Sequence, residues 1–369
     1  MVLRNPATVG LGLASYSLYL IHWPMIVFYR YYKFGGLSVW EKWEIIGASI
    51  TAALLMYRFV ERPFRRRRGV PATHYAPPAW FAACCIVLAL MLATPALGAW
   101  TNGGWVWRLP AEIRSTGADL RAKAEETGRF IGEGWQPFEE SGRRVNVLII
   151  GDSHSIDFFN AVYTNRQAFK SYEFRRLDLQ PFCFYLFTPG TQPVADEPEE
   201  RNEACRRNFA SFKISPLLNR ADYVIISGAW SKYALGFIPD LKKYLDSRGI
   251  NLIMLGRTPD FDPDIPSVVV KWGRLYGIGH QVARHRRLEV DELNKVVEDV
   301  ARKVGARYKD KLFLVCDVER ESCDALDSQN RLTYHDADHW TLEGARHFGR
   351  KMAEVDYFAE IIPVTQKQR

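Results

Sequence analysis

The distribution of apolar residues divides the chain into two parts of different character. The first hundred residues contain three long apolar segments, residues 9–32, 43–60 and 79–97. Each is near the roughly 20 residues that a helix needs to cross the hydrocarbon core of a bilayer. The first lacks a signal-peptide cleavage pattern, so we expect it to be retained. The pattern predicts a membrane domain of three transmembrane helices over residues 1–100, with buried helices of a soluble protein as the alternative.

From residue 145 onward, short apolar runs alternate with amphipathic segments. The candidate strands are VNVLIIG, ADYVIISG, INLIMLG and KLFLVCD, and residues 238–247 and 290–304 have helical periodicity. Strands that alternate with helices are typical of parallel βαβ units. We therefore predict an α/β domain over residues 145–369, with a parallel sheet in a three-layer arrangement. Residues 101–144 are polar and are interpreted as a linker or extension, in which residues 110–127 form a charged surface helix.

The basic residues near the apolar segments are concentrated between the second and the third segment. They are Arg58, Arg62, Arg65, Arg66, Arg67 and Arg68. Basic loops stay in the cytoplasm, so the third segment runs outward and the chain after Trp100 is expected outside the cytoplasmic membrane. The formal net charge of +7 at pH 7 owes much to this cluster. We therefore expect a multi-pass protein in contact with the lipid bilayer and no nucleic-acid partner.

A candidate nucleophile follows the first strand of the α/β domain. Gly151 ends the apolar run, and Asp152, Ser153 and His154 precede a helical pattern. A serine between a buried strand and a helix start has backbone N–H groups and the positive end of the helix beside it, which suits a nucleophile. Asp152 or Ser153 is equally well placed as the N-cap of that helix. This stretch alone leaves both interpretations open.

A second group of residues, near the C-terminus, favours catalysis. Asp336 and His339 are three residues apart in YHDADHWTLEG. A serine hydroxyl is a weak nucleophile until a base takes its proton, and a carboxylate orients that base. We predict that Asp336 holds one ring nitrogen of His339 and that the other faces Ser153. His335 and Asp338 would also permit a metal site, but we expect them to face solvent and we expect no metal.

These residues carry a resemblance to known families. GDSH after a strand and DxxH near the end of the domain resemble the SGNH hydrolase family. The stretches LASYSLYLIHWPMIV and FVERPFRRR resemble the last membrane helices of acyltransferase-3 proteins. Together the two parts are similar to the fused bacterial membrane O-acyltransferases that acetylate surface sugars. The resemblance implies a three-layer SGNH hydrolase-like fold and a triad of Ser153, His339 and Asp336.

The resemblance also implies an acceptor, a compartment, an acyl donor and a partner for the reaction. The acceptor would be a cell-surface polysaccharide such as a lipopolysaccharide, reached from the periplasm or outside. No bound cofactor is expected, and the acyl donor in the full-length family would be acetyl-CoA. Since the first hundred residues resemble only the tail of the membrane domain, a separate or missing N-terminal membrane portion is expected as a partner.

The family resemblance further indicates which groups stabilise the developing negative charge on the substrate. One donor is the backbone N–H of Ser153, and Gly228 at the end of ADYVIISG is the expected second donor. The position that holds an asparagine in the family is occupied by Trp230. An aromatic face suits the apolar side of a pyranose, so Trp230 is either a sugar contact or a core residue.

Six cysteines bear on the compartment of the protein. Cys84 and Cys85 lie in the third apolar segment, and the other four lie in the α/β domain. Four cysteines permit three pairings, of which we expect Cys183 with Cys205 and Cys316 with Cys323. Disulfides fit an oxidising exterior. Four reduced thiols are the alternative, whereas zinc is disfavoured because the sequence has no CxxC spacing.

The sequence thus predicts a membrane-anchored O-acyltransferase, in which Ser153 accepts an acetyl group as an ester and a sugar hydroxyl then displaces it. If water reaches the acyl-serine first, the same residues form a carbohydrate esterase. The third hypothesis is a non-catalytic, membrane-anchored subunit that binds glycans. It is kept because the sequence shows the attacking residues more plainly than the stabilising ones.

Overall fold

The computed structural model describes residues 5–34, 36–62, 79–140, 144–192, 198–273 and 275–363. The chain divides into two compact units, Met1–Trp100 and Thr101–Arg369. Each unit has its own internal packing, and the two are taken separately below.

The first unit is helical in its described residues. Its helices are α1 (Pro6–Leu13), α2 (Ser15–Lys33), α3 (Val39–Met56) and α4 (Ala79–Thr101), and a π-helical turn, Tyr57–Glu61, continues α3. Among the residues that the structure describes, two helices are long and apolar enough to cross a membrane, Val39–Glu61 and Ala82–Thr101. Length and composition are the only basis for this assignment.

The predicted first crossing, residues 9–32, is not confirmed. The segment is divided at Ala14 between α1 and α2. Helix α2 is rich in tyrosine, contains Pro24 and ends with Arg30 and Lys33, and this composition lowers its mean hydropathy. Of the basic cluster used to orient the helices, residues 65–68 lie outside the described residues.

The second unit is built around five parallel strands in the order β2-β1-β3-β4-β5. They are β1 (Val145–Gly151), β2 (Tyr172–Asp178), β3 (Tyr223–Ser227), β4 (Asn251–Leu255) and β5 (Arg307–Lys309). The predictions for β1, β3 and β4 are confirmed. These strands are continuous apolar runs because both faces of the sheet are covered: Val147 and Ile149 join one apolar cluster, while Leu148 and Ile150 join another. The domain is therefore an α/β fold with a parallel sheet between two apolar layers.

Helices of the second unit flank this sheet. They are α5 (Gly117–Arg129), α6 (Ser153–Thr164), α7 (Glu199–Ile214), α8 (Pro216–Arg220), α9 (Lys232–Leu235), α10 (Ile238–Asp246), α11 (Ile265–Trp272), α12 (Ile278–Ala283), α13 (Leu288–Lys303), α14 (Leu312–Val315) and α15 (Leu342–Glu354). Helix α15 lies directly against α6, since a Cβ at Gly349 would be 2.2 Å from the carbonyl oxygen of Ala161. A glycine at this position therefore lets the two helices approach closely.

The prediction of a strand at KLFLVCD is wrong. Residues Leu312–Val315 form the helical turn α14, and only Cys316–Asp317 are extended. This short strand, β6, pairs antiparallel with β7 (Ser322–Cys323) away from the main sheet. The fifth strand of the sheet is β5, which has the polar sequence RYK. A short apolar run fits a buried helical turn as well as a strand, so its periodicity cannot separate the two.

Residues 101–144, which were predicted as a linker or extension, are part of the second unit. Leu109, Ile113 and Phe138 are buried in its two apolar clusters. Thr116 caps α5 with a hydrogen bond from the backbone N–H of Asp119, so the helix begins later than the predicted residue 110. The region is thus an extension of the α/β domain rather than a free linker.

Both expected disulfides are present in the second unit. Cys183 is bonded to Cys205 and Cys316 is bonded to Cys323. The second bond links β6 to β7, and the first links the 3₁₀ segment Pro181–Phe187 to α7. Cys84 and Cys85 are free and exposed.

Candidate active site

Ser153 is the first residue of α6 and follows the end of β1. The turn between them requires Gly151, because a Cβ there would lie 1.9 Å from the carbonyl oxygen of Ser227 in β3. Asp152 caps the helix: its Oδ1 accepts the backbone N–H of His154 at 3.0 Å, and its Oδ2 accepts that of Ala229 at 2.8 Å. Since Asp152 provides the cap, the hydroxyl of Ser153 is available for another contact.

That contact is with His339. The Nε2 atom of His339 lies 2.7 Å from Ser153 Oγ, and its Nδ1 lies 2.8 Å from Asp336 Oδ2. The other oxygen of Asp336 accepts the backbone N–H groups of Asp338 and His339 at 3.0 and 2.8 Å. With the proton on Nδ1 donated to Asp336, Nε2 has a lone pair that can accept the serine proton. The structure therefore brings the three predicted residues together in the order that proton transfer needs.

The electrostatic environment of His339 strengthens its basicity. Burial lowers the pKa of the imidazole, but the hydrogen bond to Asp336 and the negative charges of Asp157 and Asp338 outweigh it and raise the pKa to about 9. Burial raises the pKa of the Asp336 carboxyl. The hydrogen bond from His339 and the positive charge of that ring outweigh burial and hold this pKa below its usual range. The pair is thus arranged to stabilise an imidazolium next to a carboxylate.

The prediction that His335 and Asp338 face solvent is wrong. Their side chains are 12% and 18% exposed. The loop turns back on itself through the backbone hydrogen bond from His335 to His339, at 3.1 Å, and the His335 ring lies parallel to that of His339 at a centroid distance of 5.7 Å. Asp338 Oδ1 lies 3.2 Å from His339 Nδ1, while Oδ2 lies 3.2 Å from Nη2 of Arg257. Both residues belong to the site.

Three buried side chains at the site were not predicted from the sequence as participants. The ring of His154 stacks on His339 at a centroid distance of 5.0 Å. Asp157 Oδ2 accepts the backbone N–H of Trp340 at 3.0 Å. Lys311 donates to Ser227 Oγ at 3.1 Å, and burial lowers its pKa to about 8. Two of the three carry a sequence signal: His154 is the last residue of the GDSH motif, and Asp157 lies one helical turn after Ser153. Lys311 is far from both in the sequence and carries none.

The residues that could hold a metal in the structure differ from the set considered in the sequence, which included His335. Within the described ranges, the ligand atoms of His154, Asp338 and His339 lie within 4.8 Å of one another. However, the guanidinium of Arg257 lies 3.2 Å from the carboxylate of Asp338, and a second cation there would be repelled. The arrangement therefore favours a hydrogen-bonded acid–base site over a metal centre.

The expected roles of Gly228 and Trp230 have different outcomes. Gly228 is buried beside the nucleophile turn, since a Cβ there would lie 2.6 Å from Pro181 Cγ and 3.3 Å from Asp152 Oδ2. Its role as an oxyanion donor stays a prediction. Trp230 is 3% exposed and donates its indole N–H to the carbonyl oxygen of Leu255 at 2.7 Å. Of the two alternatives for Trp230, the structure therefore supports the core residue and contradicts the sugar contact.

Comparison with known proteins adds a family match to this geometry. The family model described as SGNH domain (fused to AT3 domains) matches residues 121–354. A protein of Staphylococcus aureus strain COL named "Putative O-acetyltransferase" is 40% identical over 77 residues, which is 21% of this chain and 13% of that protein. The same values hold for its counterpart in strain MSSA476. The matched stretch is thus a small part of these longer relatives.

Solved structures similar to this chain have low sequence identity to it. The periplasmic domain of the lipopolysaccharide acetyltransferase from Salmonella ser. Paratyphi A has a TM-score of 0.48 at 12% identity, and the match covers 67% of this chain and 100% of that one. A GDSL-like lipase from Bacteroides thetaiotaomicron VPI-5482 has a TM-score of 0.30 at 14% identity, with 65% and 99% covered.

Proposed function

The chain belongs to the family of SGNH domains fused to AT3 domains, and from this premise we propose that it transfers an acetyl group to a hydroxyl of a cell-surface polysaccharide. The observation that carries the proposal is the 2.7 Å contact between Ser153 Oγ and His339 Nε2, two residues separated by 186 positions. A non-catalytic glycan-binding subunit would not require this contact, nor the carboxylate on the far side of the imidazole.

In the proposed mechanism, His339 Nε2 takes the proton of Ser153 as Oγ attacks the carbonyl carbon of the acyl donor. The donor's leaving group departs with that proton, and Ser153 holds the acyl group as an ester. A sugar hydroxyl then attacks the ester carbon and passes its proton to His339, and the bond to Ser153 Oγ breaks as Oγ recovers a proton. Asp336 keeps the imidazole in the required tautomer throughout. The backbone N–H groups of Ser153 and Gly228 are the proposed donors to the oxyanion.

An esterase is the second candidate, and one observation favours it. The contact between Ser153 and His339 is open to solvent, so water can compete with a sugar for the acyl-serine. The same residues would then release acetate. Transfer prevails only if the acceptor sugar is held close to the ester at high effective concentration.

The proposed setting is the outer face of a bacterial cytoplasmic membrane, with the second unit in the periplasm or outside. The two candidate membrane helices and the two disulfides support this setting. The acyl group would originate from acetyl-CoA and reach Ser153 through an N-terminal membrane acyltransferase portion. That partner is proposed because the family is one of fused domains.

The test uses the full chain in lipid nanodiscs with 4-nitrophenyl acetate as acyl donor and a panel of surface oligosaccharides as acceptors. Mass spectrometry measures acetylated sugar and free acetate. We expect wild-type protein to form acetylated sugar, Ser153→Ala to form neither product, and Ser247→Ala, which removes an exposed serine hydroxyl, to behave as wild type. Free acetate without acetylated sugar would identify an esterase, and transfer by Ser153→Ala would overturn the proposal.

A further inference from the structure

The carboxylate of Asp152 links two segments of the backbone beside the nucleophile. Its Oδ1 accepts the backbone N–H of His154 at 3.0 Å, and its Oδ2 accepts the backbone N–H of Ala229 at 2.8 Å. The first bond caps α6, and a helix cap needs no more than this bond. The second bond crosses from the turn after β1 to the segment that follows β3. Capping alone therefore does not explain the position of this side chain.

The two residues that Asp152 binds directly follow the two proposed oxyanion donors. His154 follows Ser153, and Ala229 follows Gly228. Each hydrogen bond restricts the backbone dihedral angles next to the preceding residue, on which the direction of its N–H depends. An oxyanion donor is effective only if it lies about 3 Å from the position of the developing charge. Asp152 is thus placed to hold both donors at a fixed spacing.

A second side-chain bond joins the same two segments. Ser227 Oγ, at the end of β3, donates to the carbonyl oxygen of His154 at 3.1 Å. Lys311 Nζ donates to Ser227 Oγ at 3.1 Å. An ammonium group has donors and no acceptor, so it leaves the serine hydroxyl free to donate to the carbonyl. Ser227 and Lys311 are both 0% exposed, and this link therefore lies beneath the surface of the site.

The charge of Asp152 needs a counter-charge. A Cβ at Gly228 would lie 3.3 Å from Asp152 Oδ2, and a carboxylate so close to the proposed donors would repel the negative charge that develops on the substrate. Burial lowers the pKa of Lys311 to about 8, although the charges of Asp157 and Asp152 act in the opposite direction. The ammonium form therefore predominates at pH 7 and offsets this repulsion.

We propose that Asp152, Ser227 and Lys311 form a positioning unit for the oxyanion donors. Asp152 and Ser227 hold the two backbone segments together, while Lys311 orients Ser227 and offsets the charge of Asp152. The three side chains act through the backbone and not on the reacting atoms, so the proton transfers of the triad are unchanged. The proposal rests on the function proposed above and adds the residues that keep its oxyanion donors in place.

The experiment measures how well the oxyanion donors are placed. It compares 4-nitrophenyl acetate with its thiono analogue, in which sulfur replaces the carbonyl oxygen, on the full chain in lipid nanodiscs at pH 7. Sulfur is a weak hydrogen-bond acceptor, so well-placed donors favour the oxygen ester. The measured quantity is the oxygen-to-sulfur ratio of the two kcat/KM values. The folded fraction and the neutral fraction of His339 are the same for both substrates and cancel in this ratio.

Three substitutions should each lower the oxygen-to-sulfur ratio by about tenfold or more. Asp152→Ser keeps a capping hydroxyl but is too short to bind Ala229 as well. Ser227→Ala removes the second link, and Lys311→Met removes the ammonium while keeping an unbranched side chain. Thr116→Ala is the matched control because it removes the cap of a different helix, α5. This control should lower Tm and leave the ratio unchanged.

The double variant tests the role of the charge. Lys311→Met should lower the ratio less in the Asp152→Ser background than in wild type, because no carboxylate is then left to offset. The proposal is overturned if Asp152→Ser or Ser227→Ala keeps or raises the wild-type ratio. It is also overturned if Thr116→Ala lowers the ratio as much, or if the effect of Lys311→Met is the same in both backgrounds.

This proposal and the proposed function fail in different ways. If wild type forms acetate and no acetylated sugar, transfer to a polysaccharide is rejected, but the ratio still tests the positioning unit because ester cleavage uses the same donors. If wild type forms acetylated sugar through Ser153 while Asp152→Ser and Ser227→Ala keep the wild-type ratio, the function stands and the positioning unit is rejected.

Discussion

Asp157 Oδ2 accepts a hydrogen bond from the backbone N–H of Trp340 at 3.0 Å. Asp157 lies one helical turn after Ser153 on α6, and Trp340 directly follows His339. This one bond therefore links the helix of the proposed nucleophile to the loop of the proposed base. The close packing of α15 on α6 at Gly349 also holds the helix that follows this loop against α6.

We expect Asp157→Ala to weaken both stability and activity. Asp157 is 2% exposed, so its loss leaves a buried N–H at Trp340 without a partner, which costs about 1–3 kcal/mol in the free energy of unfolding. The loop of His339 also loses its anchor, and kcat for ester hydrolysis should fall by about 10- to 100-fold. Asp157→Asn keeps an acceptor oxygen and should retain most of both, provided that kcat is compared at each variant's own pH plateau, because the substitution also removes a charge that raises the pKa of His339. Equal damage in the two variants would show that the charge matters instead of the bond.

We expect the activity to increase with pH over an alkaline range. His339 must be neutral to accept a proton, and its pKa is raised to about 9. The kcat/KM for 4-nitrophenyl acetate should therefore rise between about pH 6.5 and pH 9. Asp338→Asn removes one nearby negative charge and should move this rising limb of the pH–activity profile to lower pH. Asp299→Asn, which changes an exposed carboxylate on α13, should leave it in place, and a limb centred near pH 6.5 in wild type would contradict the expectation.

The same pKa shift predicts the opposite trend in stability. Because the folded-state pKa of His339 lies above its unfolded value, the protonated form is stabilised by folding. This contribution is fully present below about pH 6.5, the unfolded value, and is lost as the pH rises to 9. The difference in Tm between wild type and His339→Gln should therefore be larger at pH 6 than at pH 9. Parallel Tm curves for the two proteins would refute the linkage.

We expect Asp336→Asn to abolish most of the activity with little change in structure. The asparagine oxygen can still accept the backbone N–H groups of Asp338 and His339. Its amide group, however, donates to Nδ1 and places the imidazole proton on Nε2, where it blocks Ser153. By analogy with other triads, kcat should fall by about 10²- to 10⁴-fold. Asp338→Asn, measured at its own pH plateau, is the matched control and should lose much less.

The two disulfides should contribute unequally to stability. Cys183 and Cys205 are 22 positions apart, whereas Cys316 and Cys323 are 7 apart. From loop-closure entropy, removing the first bond with paired Cys→Ala changes should lower the free energy of unfolding by about 3 kcal/mol and removing the second by about 2 kcal/mol. Urea unfolding followed by near-ultraviolet circular dichroism measures both. Replacing the free Cys84 and Cys85 should leave the transition unchanged, and the reverse ranking would exclude the entropic account.

Local patterns in the sequence carried a large part of this description. The strands β1, β3 and β4 could be predicted because continuous apolar runs of that length are typical of strands buried on both faces. The turn at Ser153 could be predicted because a glycine followed by capping residues is typical of the junction between a strand and a helix. The pairing of Asp336 with His339 could be predicted because a spacing of three residues places both side chains in one turn. Each of these signals lies within a few neighbouring residues.

The tertiary structure decided what depends on distant residues. The apolar run KLFLVCD contains a helical turn, whereas the polar sequence RYK forms the edge strand β5. Trp230 is in the core because its indole N–H finds a carbonyl 25 positions away. Asp338 is a member of the site because Arg257, 81 positions earlier, reaches it. The burial and the pKa of a side chain depend on which distant residues the fold brings next to it. A local sequence pattern does not specify these neighbours.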